Sequence, residues 1–328
     1  MSRQAGELMT IDRPVVVALG PVDPALVTGV LGDDIAFVAD PSEPDIANAV
    51  GAIVRADAVV DATFLARAPR LRVLARTGVG VDHVDVPAAT ARGIPIVITP
   101  GSGTRAVAEG VFALALHLVK RLGPSTDLVR QGRWADRSQL SVGDLEGATI
   151  GIIGYGRIGR RVGELATPFK MDVLAYDPIS APPPEIAASD VLELASASDV
   201  LTLHVPLTQE NHHLIDTPFL DRVRPGTILI NCSRGGLVDL DAVLAALESG
   251  QLGGVGLDVF DPEPPEHHPL FDHPDVVLTP HVMGMTRRAA AATFVDAARG
   301  VVEVLGGRPP AAVANPDWVD AYEAVQLP

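Results

Sequence analysis

The sequence is poor in lysine and cysteine. Of its 25 basic residues only Lys120 and Lys170 are lysine, and neither lies in a Gly-Lys-Ser/Thr loop or in an apolar setting suited to an amine nucleophile. We therefore set aside P-loop phosphate binding and Schiff-base chemistry. The one cysteine, Cys232, cannot form a disulfide within the chain, and no cysteine–histidine cluster has zinc-site spacing. We expect no bound metal and a reducing, cytoplasmic location.

Positive charge as a whole is scarce. The 25 basic and 41 acidic residues give a net charge of −16 over 328 residues, which would repel nucleic acids and anionic membrane surfaces. No apolar run approaches the roughly 18 residues of a membrane span, and the first 14 residues lack the apolar core of a signal peptide. With 47% hydrophobic residues the chain can bury a sizeable core. We expect no nucleic-acid partner and no membrane association.

Short apolar runs alternate with helical patterns along the chain, which is the rhythm of a parallel sheet with crossover helices. One series of apolar runs ends near residue 98, and a second begins near residue 148. A long helix predicted from about Thr104 to Arg121, and ended by Gly123-Pro124, separates the two series. A last helix is predicted over residues 287–305 and could pack back on the first series. The pattern predicts an α/β fold with two doubly wound parallel-sheet domains.

A glycine-rich turn follows the apolar run at residues 148–153. Gly154, Gly156 and Gly159 form a G-x-G-x-x-G pattern whose glycines allow a tight turn, close approach to a pyrophosphate and close helix packing. The positive end of the following helix dipole would attract the phosphates. The backbone N–H groups that open this helix belong to Arg157 and Ile158. This pattern predicts a Rossmann dinucleotide site.

An acidic residue stands where such a site requires one. Asp177 ends the next predicted strand, 23 positions after Gly154, where a carboxylate would bind the ribose 2′-hydroxyl. It would repel a 2′-phosphate, and residues 178–185 contain no basic residue to offset it. We therefore expect NAD rather than NADP. The alternative is a glycine-rich turn in which Asp177 only caps a loop.

Several further motifs occur in a fixed order. They are residues 76–85 (RTGVGVDHVD), 203–208 (LHVPLT), 230–239 (INCSRGGLVD), 256–264 (GLDVFDPEP) and 279–281 (TPH). Together with the glycine pattern they resemble the D-isomer-specific 2-hydroxyacid dehydrogenases. The resemblance implies an NAD-binding Rossmann domain over residues 104–287. It also implies a discontinuous, flavodoxin-like substrate-binding (catalytic) domain over residues 1–103 and 288–328.

Three residues carry the chemistry that the resemblance implies. Oxidation of a 2-hydroxy acid needs a cation for the carboxylate, a base for the hydroxyl proton and a nicotinamide for the hydride. By resemblance, Arg234 binds the carboxylate and the 2-oxygen, His281 is the general acid/base, and Glu263 orients its imidazole. Arg234 follows a predicted strand at the edge where open α/β sheets bind ligands. The alternative is a loop arginine that caps a helix C-terminus.

Other positions match family elements around substrate and cofactor. Arg55 and the backbone of Val79 and Gly80 would hold the substrate carboxylate, although Gly-Val-Gly could also be a simple turn. By resemblance, the positions near the cofactor are Thr104, His204, Val205, Pro206, Cys232, Ser233, Asp258 and Gly284. Asp258 could instead be a loop cap, and Cys232 is expected to be a small buried residue. The pairs His212-His213 and His267-His268 lack a third ligand and are predicted to be solvated loop histidines.

The chain departs from the family pattern at a few places. Gly103 and Gly110 stand where the family often has Asn and His, and residues 282–286 replace the usual Gly-Ala-Ser/Thr after the catalytic histidine. Substrate identity therefore stays open. The leading hypothesis is an NAD-dependent 2-hydroxyacid dehydrogenase or 2-oxoacid reductase that forms a homodimer through the helix at residues 104–121. The alternatives are a corepressor-like NAD-binding interaction protein and a formate or phosphite dehydrogenase of the same fold.

Overall fold

The computed structural model describes residues 13–321, which divide into two compact units. Unit 1 contains residues 13–103 and 287–321. Unit 2 is Thr104–Thr286. Residues 1–12 and 322–328, which the sequence assigns to the substrate-binding domain, lie outside the described residues.

Unit 1 is built on a parallel sheet. Its elements up to residue 103 are β1 Val15–Leu19, α1 Pro24–Leu31, β2 Ala36–Val38, α2 Glu43–Asn48, β3 Ala49–Val54, α3 Ala62–Arg67, β4 Val73–Arg76, α4 Val86–Ala91 and β5 Ile96–Val97. The strands lie in the order β2-β1-β3-β4-β5, and all neighbours are parallel. Parallel neighbours require crossover connections, and the helices that supply them cover both faces of the sheet.

Unit 2 contains a second parallel sheet. Its elements are α5 Thr104–Val119, α6 Leu122–Arg130, β6 Thr149–Ile153, α7 Arg157–Ala166, β7 Asp172–Tyr176, α8 Val191–Ala197, β8 Val200–Leu203, α9 Thr217–Leu220, β9 Thr227–Asn231, α10 Leu240–Glu248, β10 Leu252–Leu257 and β11 Val276–Leu278. The strand order is β11-β10-β9-β8-β6-β7, again parallel throughout. The predicted α/β fold with two parallel sheets is confirmed.

The last helix, α11 Arg287–Leu305, returns to unit 1 and packs on β3 and β4. Its residues Phe294, Ala297 and Val301 are buried with Val16 and Val27 in the core on one face of the sheet. This apolar face explains why a segment so distant in sequence belongs to the first unit. Within residues 13–321, no helix combines the length and apolar character needed to cross a membrane.

Aspartate side chains fix the start of several crossover helices. Asp23, Asp61 and Asp85 accept backbone N–H bonds at the first turns of α1, α3 and α4. Asp190 and Asp239 do the same at α8 and α10. Each cap satisfies a donor that the helix itself leaves without a partner, and is worth about 1 kcal/mol. The many acidic residues of the chain therefore serve partly as helix caps.

The long helix at the start of unit 2 differs from the sequence prediction. α5 ends at Val119, Arg121 adopts a left-handed conformation with φ of 52°, and α6 begins at Leu122. The prediction that Gly123-Pro124 ends a helix was wrong, because both residues lie in the first turn of α6. Proline is tolerated there because the first-turn N–H groups have no helical partner to lose.

Candidate active site

The glycine pattern forms the turn between β6 and α7. Gly154 has a φ of 98°, and a side chain there would place its Cβ 2.6 Å from the carbonyl carbon of His204. At Gly159 an added Cβ would lie 2.1 Å from the carbonyl oxygen of Gly154. Gly156 is different, since an added Cβ would meet no atom within 4 Å. Two of the glycines are thus required by packing, whereas Gly156 leaves open space at the N-terminus of α7, which begins with Arg157 and Ile158.

Asp177 lies at the end of β7, beside this turn. Its Oδ2 accepts a hydrogen bond from the backbone N–H of Tyr155 at 2.8 Å, and its Oδ1 accepts from Ile179 and Ser180, each at 2.8 Å. Partial burial opposes ionisation, but these hydrogen bonds and the charge of Arg160 lower the pKa of Asp177 below its usual value. The carboxylate is therefore fixed in place and ionised at neutral pH.

Arg160 is a basic neighbour of Asp177 that the sequence analysis missed. Its Nε donates to the carbonyl oxygen of Tyr155 at 3.1 Å, and its guanidinium carbon lies 5.6 Å from the centre of the Tyr155 ring. Arg160 is on α7 and so precedes Asp177 in the sequence, whereas residues 178–185 after Asp177 contain no basic residue. Arg160 lies one helical turn after Arg157 at the start of α7, and this spacing was the signal for a second basic residue near the glycine turn.

His204 borders the same turn at the end of β8. Its Nε2 lies 3.0 Å from Thr202 Oγ1, and its Nδ1 is buried without a hydrogen-bond partner among the described residues. Burial lowers the pKa of His204 to about 3, so its ring is neutral at physiological pH. An unsatisfied buried nitrogen and the open space at Gly156 both fit a site that receives a polar cofactor. Val205 packs next to Gly154, and Pro206 is exposed.

The side chains of His281 and Glu263 are hydrogen-bonded to each other at the carboxyl end of the unit 2 sheet. The distance from His281 Nδ1 to Glu263 Oε2 is 2.7 Å. The other carboxylate oxygen, Oε1, accepts the backbone N–H of Phe260 at 3.0 Å. The His281 side chain is 48% exposed, so that its Nε2 edge can meet a ligand while Nδ1 is held. His281 also has a left-handed backbone, with φ of 52°.

Asp258 holds the loop that carries His281. It follows β10, and only 2% of its surface is exposed. Its Oδ1 accepts from Thr279 Oγ1 at 2.5 Å and from the backbone N–H of Val282 at 2.9 Å, and its Oδ2 accepts from Met283 N–H at 3.1 Å. The carboxylate thus fixes the chain on both sides of His281.

Arg234 follows β9 in a tightly built loop. Asn231, fully buried, donates from Nδ2 to the Arg234 carbonyl at 2.8 Å and accepts from Ser233 N–H at 3.0 Å. At Gly235 an added Cβ would lie 2.0 Å from the Phe260 carbonyl carbon. The Arg234 loop therefore packs on the backbone segment whose N–H is held by Glu263. Within unit 2 the structure places Arg234, Glu263 and His281 on connected loops.

Two other residues of these loops have distinct environments. Ser233 Oγ donates to the Val205 carbonyl at 2.5 Å, which ties the β9 loop to the β8 loop. Cys232 is buried, and burial together with the charge of Asp258 raises the pKa of its thiol. The thiol is consequently protonated at neutral pH and unsuited to nucleophilic chemistry.

The predicted substrate residues of unit 1 lie at the carboxyl ends of neighbouring strands. Arg55 follows β3, its Nε is buried without a hydrogen-bond partner among residues 13–321, and its guanidinium carbon lies 5.4 Å from the centre of the Phe294 ring. Val79, 49% exposed, and Gly80 follow β4. Gly78 has a φ of 142°, which favours glycine.

Arg76 connects these two loops, and the sequence analysis did not identify it as a site residue. It is only 4% exposed. Its Nε donates to the Gly80 carbonyl at 2.7 Å, and its Nη1 donates to the carbonyls of Val54, at 3.2 Å, and Arg55. The sequence signal for Arg76 was a charged residue at the end of an apolar strand. A guanidinium buried there must donate hydrogen bonds to nearby acceptors.

The departures from the family pattern are coupled in the structure. An added Cβ at Gly110 would lie 2.6 Å from Met283 Sδ. Because position 110 of α5 has no side chain, there is room for this methionine. Gly284 follows, with Val107 Cγ2 3.6 Å from its added Cβ. Met285 is 53% exposed in the same loop. Thr104, the remaining predicted cofactor residue, is the first residue of α5.

The predicted histidine pairs lie on loops of unit 2. The rings of His212 and His213 stack at 4.0 Å, and His268 Nε2 lies 3.2 Å from Asp241. No group of three histidine, cysteine or acidic side chains suited to a metal ion occurs in the part of the chain that the structure describes.

Comparison with known proteins gives consistent similarities. The family model for the D-isomer specific 2-hydroxyacid dehydrogenase NAD binding domain matches residues 112–283. D-3-phosphoglycerate dehydrogenase of Mycobacterium leprae is 38% identical over 309 residues, which cover 90% of this chain and 58% of the relative. The chain thus spans less than two thirds of that relative. Glyoxylate reductase of Thermofilum pendens is 37% identical over 265 residues, 78% of each chain.

A solved structure extends these similarities to the fold. The crystal structure of D-lactate dehydrogenase from Aquifex aeolicus, complexed with NAD and lactic acid, superposes with a TM-score of 0.77. It is 29% identical and covers 89% of this chain and 96% of that one.

Proposed function

Because this chain belongs to the D-isomer specific 2-hydroxyacid dehydrogenase family, we propose that it transfers a hydride between NAD and C2 of a small 2-hydroxy or 2-oxo acid. The observation that carries the proposal is the His281–Glu263 pair, 2.7 Å apart, in the same unit as the glycine pattern. NAD is the cofactor of the matched domain. The relatives named as reductases and dehydrogenases support an enzyme rather than a corepressor-like binding protein.

The residues around the β6–α7 turn fit a dinucleotide. We assign the pyrophosphate to the open space at Gly156 and to the N–H groups of Arg157 and Ile158, and the ribose to Asp177. When bound, the nicotinamide supplies or accepts the hydride. The other residues assigned to the cofactor are Thr104, Gly154, Gly159, His204, Val205, Pro206, Cys232, Ser233, Asp258 and Gly284.

The protein side chains then handle the carboxylate and the proton. Arg234 binds the carboxylate and polarises the 2-oxygen with its planar fork of donors. In oxidation His281 Nε2 takes the hydroxyl proton as the C2 hydride leaves, and in reduction it returns that proton to the new hydroxyl. Glu263 holds Nδ1, so that Nε2 is the nitrogen that exchanges the proton. A formate dehydrogenase would not need this pair, because formate has no hydroxyl proton to transfer.

We assign substrate binding to unit 1 as well. The buried, unsatisfied Nε of Arg55 is a donor suited to a carboxylate, and the Gly78-Val79-Gly80 backbone can approach an anion closely. Arg76 would position Arg55 and the loop at residues 78–80, because it donates hydrogen bonds to the carbonyls of Arg55 and Gly80. In this assignment Arg76 is a positioning residue and does not touch substrate.

A homodimer is part of the proposal. α6 buries none of its residues, and large apolar side chains are exposed on and around it. They are Leu122, Val129, Trp134 and Val142, between 48% and 63% exposed. Such a patch at the end of the predicted dimer helix α5 favours coverage by a second copy. A cytoplasmic location is also proposed, on the composition with its single cysteine.

A panel of 2-oxo acids tests the function directly. NADH oxidation is followed with glyoxylate, hydroxypyruvate, pyruvate, phenylpyruvate and 3-phosphohydroxypyruvate. We expect turnover of at least one of them, and the ranking identifies the substrate. NADH binding without turnover across a broad panel would instead favour the corepressor-like alternative, and NAD reduction by formate or phosphite would favour the same-fold alternative.

A further inference from the structure

A small cavity lies at the amino edge of the unit 1 sheet, opposite the edge assigned to substrate. Arg13 precedes β1, Asn48 ends α2 directly before β3, and Arg72 directly precedes β4. Because β1, β3 and β4 are adjacent and parallel, their amino ends meet and the topology brings these residues together. With Arg70 and Leu305 they line a cavity of about 270 Å³.

The cavity is lined by several arginines in a chain that is acidic as a whole. Among the lining residues that the structure describes, three are arginine and none is acidic, although the net charge of the protein is −16. Within residues 13–321, neither Arg13 nor Arg72 forms an ion pair, whereas nearby Arg67 pairs with Glu43. Three like charges around one concave space repel each other and focus a positive potential that an anion would relieve.

The side chains also suit a particular anion. Arg70 Nη1 donates to Asn48 Oδ1 at 3.3 Å, and Asn48 Nδ2 is held by the Pro44 carbonyl at 2.9 Å, so one guanidinium is already oriented. Guanidinium forks match the oxygens of phosphate groups. A volume of about 270 Å³ is below the roughly 300–1,000 Å³ of typical drug-sized pockets and much too small for a dinucleotide.

We propose that this cavity binds a small dianion of the phosphate type, either free phosphate or the phosphate ester of a molecule with few carbons. The site is separate from the nucleotide residues of unit 2 and from Arg55 at the opposite edge of the sheet. It does not depend on the function proposed above.

Phosphate titration at constant ionic strength tests the site, with binding and thermal unfolding both measured on the full chain. The test variant combines Arg13→Gln and Arg72→Gln. The control, Arg299→Gln, removes an exposed arginine from α11 in the same unit. Phosphate at ten times its Kd should raise the Tm of wild type and control by about 2–4 °C. In the double variant the Kd should rise at least tenfold, so the same phosphate concentration should produce less than about a third of the wild-type shift.

Two probes separate the sources of the dianion. Inorganic phosphate and glycerol 2-phosphate are compared, and tighter binding of the ester identifies a phosphate ester as the occupant. Equal or weaker binding of the ester identifies free phosphate. The proposal is overturned if neither probe binds wild type, or if the double variant responds to both as wild type does. The second result would place the bound phosphate elsewhere, for example at the glycine turn of unit 2.

Discussion

The neutral ring of His204, whose Nδ1 atom is buried, should make the stability of the protein depend on pH. The pKa of His204 falls from its ordinary 6.5 to about 3 in the folded protein because of burial. The unfolded chain therefore takes up a proton near pH 6.5, whereas the folded chain resists it. The contribution of the neutral His204 ring to the free energy of unfolding is fully present above about pH 7, and it declines as the pH falls toward 3.

The size of the effect follows from the two pKa values. Between them, each pH unit changes the free energy of unfolding by about 1.4 kcal/mol, so moving from pH 7.5 to pH 5 lowers it by about 2 kcal/mol through His204 alone. Replacement by asparagine removes the titrating group. Asparagine can still offer a hydrogen bond to Thr202, which pairs with the ring in the wild type.

Urea unfolding at the two pH values measures this directly. The loss of stability between pH 7.5 and pH 5 should be about 2 kcal/mol smaller in His204→Asn than in wild type. His83→Asn, which alters an exposed histidine, should keep the wild-type difference. Identical pH dependence in wild type and His204→Asn would refute the assignment of a buried, neutral ring.

Further predictions concern the two candidate sites. Gly159→Ala should lower the stability by about 1–3 kcal/mol, because its Cβ would meet the Gly154 carbonyl, whereas Gly156→Ala should leave the Tm within a few degrees of wild type but weaken NADH binding in a fluorescence titration. Equal Tm losses in the two variants would contradict the packing argument. Asp177→Ser should raise NADPH-dependent activity relative to NADH, since it removes the charge that repels the 2′-phosphate; an unchanged ratio would count against that role. Arg76→Gln should raise the KM for the 2-oxo acid about tenfold or more with little change in the Kd for NADH, whereas Arg92→Gln, which removes another arginine that donates to backbone carbonyls of unit 1, should leave both constants near wild type. A KM unaffected in Arg76→Gln would exclude the positioning role.

The sequence predicted the parts of this structure that follow from periodicity. Apolar runs predicted the central strands. The spacing from Gly154 to Asp177 predicted that this aspartate lies beside the glycine turn, and in the structure Asp177 accepts the backbone N–H of Tyr155 in that turn. A glycine pattern can be recognised in a sequence because the turn requires glycine at positions with a fixed spacing. The sequence did not predict the boundary between the end of α5 and the start of α6. A proline in the first turn of a helix and a proline that follows a helix give the same local sequence pattern.

The main omissions were residues whose side chains hold the backbone of loops at the candidate site. Arg76, Asn231 and Arg160 act through backbone carbonyls and side chains that only the folded chain assembles. In a sequence a residue shows only its own chemistry and its motif, whereas these residues depend on contacts that form in the folded chain. The Met283–Gly110 contact shows the same limit, since each residue alone was only a departure from a family pattern.

Substitution of His281 by alanine tests its proposed role as the general acid/base. We expect His281→Ala to bind NADH with wild-type affinity, because the nucleotide residues are untouched, and to lose turnover of every accepted 2-oxo acid by about 10²–10⁴-fold. Stopped-flow absorbance at saturating NADH and substrate measures that rate. A variant that reduces its 2-oxo acid at the wild-type rate would contradict the assignment of His281 as the proton donor.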